Sequence, residues 1–131
     1  MTSKIEFIQR MQSRTKDFAL RSIRLFRALP KTEEARLIGK QYLRAATSVA
    51  ANYRAVCRSR SKAEYFAKLS IVVEETDEAL FWLEIMIAAE ILPEVKLKSL
   101  VEEATELLAI FSSARKNTII NKKAMANSTI Q

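Results

Sequence analysis

A long run of the chain, from Ser61 to Leu92, contains neither glycine nor proline. It opens with Ser61 and, three residues later, Glu64, a capping box that satisfies the first unpaired N–H groups of a helix. Pro93 follows the run and cannot continue a helix. The whole chain holds one glycine and two prolines, so it can form long helices but has little turn chemistry for hairpins. The run therefore predicts a single helix of roughly 45 Å.

This helix is apolar on more than one side. Its main stripe recurs at spacings of three and four residues, at Phe66, Leu69, Val73, Thr76 (through its methyl), Leu80, Leu83 and Ile87. A second apolar group points away from the stripe and follows a cluster of acids. A helix that is apolar nearly all round is covered on several sides. We therefore predict a subunit interface formed by Glu74, Glu75, Asp77, Glu78, Phe81, Trp82, Ile85 and Met86.

Three further segments have a helical period, which places predicted helices at about residues 3–29, 32–58, 61–92 and 94–117. Because the connections are short, consecutive helices should be antiparallel neighbours. The prediction is an all-α, antiparallel up-down-up-down four-helix bundle, a single domain over residues 1–117. Residues 118–131 lose the period and are expected to form a frayed or disordered tail. Gly39, inside the second helix, costs about 1 kcal/mol relative to alanine, so we expect close helix packing there.

The net charge of +7 is unevenly distributed. Residues 1–31 hold eight Lys or Arg and two acids, and residues 32–60 hold six and two, whereas residues 61–92 hold two and seven. The basic side chains form one row on each of the first two helices and a cluster at the turn into the third. Arginine presents a planar fork that suits phosphate. The candidate nucleic-acid contacts are Arg10, Arg14, Arg21, Arg24, Arg36, Lys40, Arg44, Arg58, Arg60 and Lys62.

Three interpretations of these basic residues stay open. They contact phosphates, they pair with acids (those of a neighbouring helix in the same chain, or those at 74–78 of a neighbouring subunit), or they form an ordinary solvated face. Phosphate contacts would make binding fall steeply with salt. Tyr42, Tyr53 and Phe66 lie on apolar faces, so we expect recognition of shape and backbone rather than of bases.

Catalytic and metal chemistry lack the residues that they usually need. The chain has no histidine, which removes the common general base and metal ligand, and it has no Gly-rich phosphate loop and no CxxC pair. Cys57, the single cysteine, excludes an internal disulfide. We predict no enzyme activity, no metal and no cofactor. The polar N-terminus and the absence of an apolar run near 18 residues predict a cytoplasmic protein with no membrane partner.

Several segments together resemble a known bacterial family. They are Ala45–Arg54 (AATSVAANYR), the turn Arg58-Ser59-Arg60-Ser61-Lys62, Glu64-Tyr65-Phe66, Lys68-Leu69, and Glu75-x-x-Glu78-x-x-x-Trp82-Leu83-Glu84. Their order and spacing are similar to the four-helix-bundle proteins encoded in intervening sequences of 23S rRNA genes, over residues 15–116. The resemblance implies a ring-shaped homopentamer. It also implies kinship with the accessory variability determinant of diversity-generating retroelements, a basic pentamer that works with a reverse transcriptase and binds nucleic acid.

Two functions are compatible with these features. The first is a non-catalytic homo-oligomer that binds structured RNA, or another nucleic acid, through its basic surface. The second is a protein-interaction scaffold that docks an acidic partner or a reverse transcriptase and uses its charge mainly for self-assembly. The basic rows favour the first, and the acidic cluster beside apolar residues is compatible with the second.

Overall fold

Four antiparallel helices make up the part of the chain that the structure, a computed structural model, describes: residues 3–130, with side chains described for residues 3–118. The helices are α1 (Lys4–Ala28), α2 (Glu33–Cys57), α3 (Lys62–Ala88) and α4 (Glu94–Ile130), and no strand occurs among these residues. Each helix packs on the next along the chain, and α1 meets α4 to close the bundle. The predicted all-α four-helix bundle is confirmed.

The starts of the first three helices follow from local capping. The side-chain oxygens of Ser3, Thr32 and Ser61 each accept a hydrogen bond from the backbone N–H three residues later, at 3.0, 3.3 and 3.1 Å. Each satisfies one of the N–H groups that a helix start leaves without a partner. The capping that was predicted at Ser61 therefore forms, and α1 and α2 keep their predicted bounds to within one residue.

The end of α3 differs from its prediction. The helix stops at Ala88 rather than at residue 92, because the backbone reverses before Pro93 is reached. The N–H of Ile91 donates to the carbonyl of Met86 (2.9 Å), and the N–H of Glu90 donates to that of Ile87 (3.0 Å). This pair of bonds is a Schellman motif, which needs a left-handed residue. Glu90 takes that place with φ of 56°.

The face of α3 that enters the core also differs from the predicted one. The buried positions follow a heptad pattern: Leu69, Val72, Thr76, Ala79, Leu83 and Met86, with Val73 beside them. Met86 is 0% exposed and lies in the core of its own chain, so its assignment to a subunit interface was wrong. The error arose because an almost wholly apolar helix has little periodic contrast from which to choose between neighbouring stripes.

Gly39 lies where α2 passes the end of α1. A Cβ atom at this position would sit 2.5 Å from Cδ1 of Leu29 and 3.2 Å from Cδ1 of Phe26. A larger residue at this position would force the Leu29 side chain to shift and would crowd Phe26, so the glycine lets both side chains rest on α2 in this arrangement. The close packing that was expected at Gly39 is confirmed.

One polar pair is enclosed within the core. The Tyr42 hydroxyl and Ser22 Oγ lie 2.6 Å apart, and Ser22 Oγ also lies 2.7 Å from the carbonyl oxygen of Phe18. Both residues are 0% exposed. Burial raises the pKa of Tyr42 well above its ordinary value. The pair ties α1 to α2 with its polar atoms satisfied.

The last helix continues beyond its predicted end. The described backbone of α4 is helical to Ile130, whereas the period predicted an end at 117. The predicted frayed tail, residues 118–131, falls almost wholly outside the residues whose side chains are described. Its fraying stays a prediction.

Candidate nucleic-acid interface

Arg14, in the basic row of α1, is paired with acids of α4. Its Nε and Nη2 donate to the two carboxylate oxygens of Glu103, at 3.1 and 2.7 Å, and Nη2 lies 3.3 Å from Glu106 Oε1. The two-pronged bond to Glu103 raises the pKa of the Arg14 guanidinium. α1 and α4 approach each other least closely of the packed helix pairs, and Arg14 spans the gap. Arg14 therefore stabilises the contact of α1 with α4 rather than offering its charge to an external ligand.

Arg21 and Arg10, in the same row, have weaker partners. Arg21 Nη2 donates to Ser99 Oγ of α4 at 2.9 Å, and Arg21 Nη1 lies 3.9 Å from Asp17. The guanidinium carbon of Arg10 lies 5.7 Å from the centre of the Phe7 ring, a cation–π contact. Neither contact neutralises its arginine as the Glu103 carboxylate neutralises Arg14.

Arg44, in the basic row of α2, is paired with acids of α3 in the same chain. Its Nη1 lies 3.2 Å from Glu75 Oε2, and its Nη2 donates a hydrogen bond to Glu78 Oε2. The same Glu78 oxygen accepts a hydrogen bond from Trp82 Nε1 at 3.2 Å. The hydrogen bond to Glu78 raises the pKa of Arg44. Pairing with acids was one of the open interpretations, either between helices of one chain or with the acids at 74–78 of a neighbouring subunit. In the described residues it occurs within one subunit.

The cluster at the α2–α3 turn lies at the opposite end of the bundle from the start of α2. Arg58, Arg60 and Lys62 are exposed there. Arg60 Nε lies 3.6 Å from Glu64 Oε2, and Lys68 donates to Glu64 Oε1 at 2.9 Å. The bond from Lys68, with help from Arg60, lowers the pKa of Glu64. Arg36 lies in the first turn of α2 and Arg58 follows the last residue of that helix, so the ten predicted contacts do not form one surface.

The remaining predicted contacts meet at one end of the bundle, with two lysines that the sequence did not single out. We name this group, Arg24, Lys31, Arg36, Lys40 and Lys96, the basic end. It surrounds the last turns of α1, the α1–α2 loop and the first turn of α4. Within residues 3–118, no carboxylate lies at ion-pair distance from any of these five cations. All five are exposed and are therefore available to an external anion.

The basic end contains two clefts, one on each side of α1. The α1–α2 cleft has a volume of about 320 Å³ and is lined by Phe26, Leu29, Pro30, Lys31, Arg36 and Lys40. The α1–α4 cleft has a volume of about 370 Å³ and is lined by Arg21, Arg24, Leu25, Ala28, Leu92, Lys96, Ser99 and Leu100. Each cleft combines an apolar floor with three cations. This arrangement can hold an anion that also carries apolar surface.

The outward side of α3 exposes apolar surface. Phe81 is 48% exposed, and its ring meets that of Trp82 edge to face, with centroids 5.0 Å apart. Ile71, on the same helix, is also exposed, while Ile85 is half-buried. Three of the four predicted apolar interface residues, Phe81, Trp82 and Ile85, are thus accessible in the single chain.

Two features were sought in the described residues and not found there. No three acids or cysteines converge in a way that could hold a metal ion. No helix in this part of the chain is both long and apolar enough to span a membrane.

Comparison with known proteins identifies the family. The family model described as 23S rRNA-intervening sequence protein matches residues 9–113 of the chain. The chain belongs to the 23S rRNA-intervening sequence protein family. The match covers most of α1, all of α2 and α3, and α4 up to residue 113, so it includes both clefts of the basic end and confirms the resemblance seen in the sequence.

A solved protein structure has the same fold. It is a protein with unknown function from the S23 ribosomal protein family of Bacteroides thetaiotaomicron, and it is 29% identical to this chain with a TM-score of 0.75. The alignment covers 81% of this chain and 98% of that chain. No curated protein gives a significant match.

Proposed function

We propose that this protein is a non-catalytic homo-oligomer that binds structured RNA through the phosphates. The observation that carries the proposal is that some cations of the protein are paired with carboxylates of the same chain whereas those of the basic end are not. Arg14 and Arg44 are neutralised by carboxylates within the chain, whereas the five cations of the basic end have no such partner in the described residues. Unpaired cations around concave clefts are the arrangement that a polyanion needs.

Salt dependence of RNA binding tests this proposal. A triple substitution, Arg24→Gln, Arg36→Gln and Lys40→Gln, should weaken binding to a structured RNA and reduce the slope of log affinity against log salt. Each lost phosphate contact removes somewhat less than about one unit of slope, because fewer counterions are released. All three residues are exposed, so the variant should fold normally.

A charge-matched control separates the basic end from net charge. Lys4, Arg54 and Lys116 are exposed cations of the opposite end of the bundle. Substituting all three with glutamine removes the same charge and should leave the salt slope nearly unchanged. Equal losses in the two triple variants would show that binding follows net charge alone and would refute a site at the basic end. Capture of an acidic protein that survives nuclease treatment, without RNA binding, would favour the scaffold function.

The oligomer is part of the proposal and rests on the outward face of α3. Phe81 and Ile71 are exposed there and would be covered by a neighbouring subunit. The proposed number of subunits, five, comes from the resemblance alone. Light scattering should give a mass that is an integer multiple of the 14.9 kDa chain. The Phe81→Ser substitution should lower the mass of the assembly. A monomeric mass at micromolar concentration for the unaltered protein contradicts the assembly.

A further inference from the structure

The α1–α2 cleft differs from a plain phosphate site because an aromatic ring lines it. Phe26 is half-buried and shares the cleft with Lys31, Arg36 and Lys40. The Cδ1–Cε1 edge of the ring packs on α2 at Gly39, where no side chain intervenes. The absence of a Cβ at Gly39 therefore seats the ring beside the basic residues of α2.

The cations of this cleft come from two segments of the chain. Arg36 and Lys40 are one helical turn apart on α2, about 6 Å along the helix axis. Lys31 approaches from the loop after α1. The acids nearest in sequence, Glu33 and Glu34, are exposed and are not among the lining residues. The cleft thus offers an apolar ring with a positive rim.

We infer that the α1–α2 cleft binds a single unpaired nucleotide of an RNA, with the base against Phe26 and its phosphates held by Lys31, Arg36 and Lys40. This inference rests on the proposed RNA-binding function and names the part of the RNA that the site takes. Unpaired bases are commonly recognised by stacking on aromatic side chains. The stack is tolerant of sequence because every base has a π-face.

Other ligands fit the cleft less well. A duplex presents phosphates but keeps its bases stacked inside, so it would leave the Phe26 ring unused. The carboxylates of an acidic peptide would pair with Lys31, Arg36 and Lys40, but they supply no flat ring to stack on Phe26. The volume of about 320 Å³ lies at the lower end of the range of small-ligand pockets, which suits one nucleotide rather than several.

The test compares two RNA hairpins that differ in one nucleotide. One has an uninterrupted stem, and the other carries a single extruded uridine in the same stem. The full-length protein should bind the bulged hairpin about tenfold more tightly, the size expected for stacking of one base. Phe26→Leu should abolish that preference while keeping the affinity for the uninterrupted stem. Phe26→Tyr, which keeps the ring, should retain it.

A matched control makes the same chemical change elsewhere. Phe66 is a half-buried phenylalanine of α3 that does not line the cleft, and Phe66→Leu should leave the preference intact. A second measurement needs no variant. A 5-iodouridine at the bulge should, on irradiation, crosslink the unaltered protein at Phe26, as located by peptide mass spectrometry.

The outcomes separate this inference from the function on which it rests. If the unaltered protein binds neither hairpin in a salt-dependent way, both the proposed function and the inference are overturned. If it binds both hairpins equally, or if Phe26→Leu keeps the preference, or if the crosslink maps elsewhere, the inference alone is overturned. Competition by uridine monophosphate as strong as that by the bulged hairpin would show a free-nucleotide site and would also overturn it.

Discussion

Replacing Tyr42 with phenylalanine should change stability in opposite directions at neutral and alkaline pH. Tyr42→Phe keeps the buried ring but removes the hydroxyl that lies 2.6 Å from Ser22 Oγ. Ser22 keeps its bond to the Phe18 carbonyl, so no buried donor is left without a partner. The loss is therefore that of one ordinary hydrogen bond, about 1 kcal/mol near pH 8.

The alkaline effect follows from the raised pKa of Tyr42 in the folded protein. In the unfolded chain this tyrosine ionises at about pH 10. The stability that its burial contributes is fully present below that pH and is lost as the pH rises toward the folded-state pKa. By about pH 11 ionisation of the unfolded state removes about 1.4 kcal/mol from the wild type, and a phenylalanine escapes this loss. The two stability curves should therefore cross between about pH 10 and 11.

Urea denaturation followed by circular dichroism measures both effects. Ser22→Ala is the matched control, because it breaks the same hydrogen bond but keeps the ionisable hydroxyl, so its stability should stay below that of the wild type at every pH. Tyr53 and Tyr65 also have raised pKa values through burial, but they are present in all three proteins and cancel in the differences. A destabilisation by Tyr42→Phe that stays constant from neutral to alkaline pH would refute the reasoning.

Two further predictions concern helix ends and helix contacts. Glu90→Gly should raise the free energy of unfolding by about 1 kcal/mol, because Glu90 holds a left-handed φ of 56° that glycine adopts without strain. The control Glu84→Gly, at an exposed position inside α3, should lower the free energy of unfolding by a similar amount. Stabilisation by both substitutions would contradict this account. In a double-mutant cycle, Arg14→Gln and Glu103→Gln should show a coupling of about 1 kcal/mol, since the pair is two-pronged but partly exposed. That coupling should shrink in high salt, and its absence at low salt would show that the pair holds α1 to α4 only weakly.

The helices and their starts could be predicted from sequence because they depend on local features. The capping at Ser61, for example, needed no knowledge of the neighbouring helices. The core stripe of α3 could not be settled in the same way. Met86 and Phe81 are both apolar, and only packing decides that the first is buried and the second exposed.

The candidate site was less predictable because it depends on which helices meet. A row of arginines looks uniform in the sequence, yet Arg14 faces acids of α4 whereas Arg24 does not. Lys31 and Lys96 lie far apart in the chain and reach the same end of the bundle only through the antiparallel topology. Phe26 is an apolar residue of α1 that the sequence does not connect with the basic residues, and its position beside Gly39 brings it to the basic cleft.

The packing order of the helices also bears on how the chain folds during synthesis. α2 rests on α1, α3 on α2 and α4 on α3, so nearly every helix contact joins a segment to the one made just before it. Such local topology allows folding to advance while the ribosome is still extending the chain, and it keeps apolar faces covered from an early stage. Only the contact of α1 with α4 must wait for the end of synthesis. The bond between Arg14 and Glu103, 89 residues apart in sequence, is therefore among the last contacts of the bundle to form.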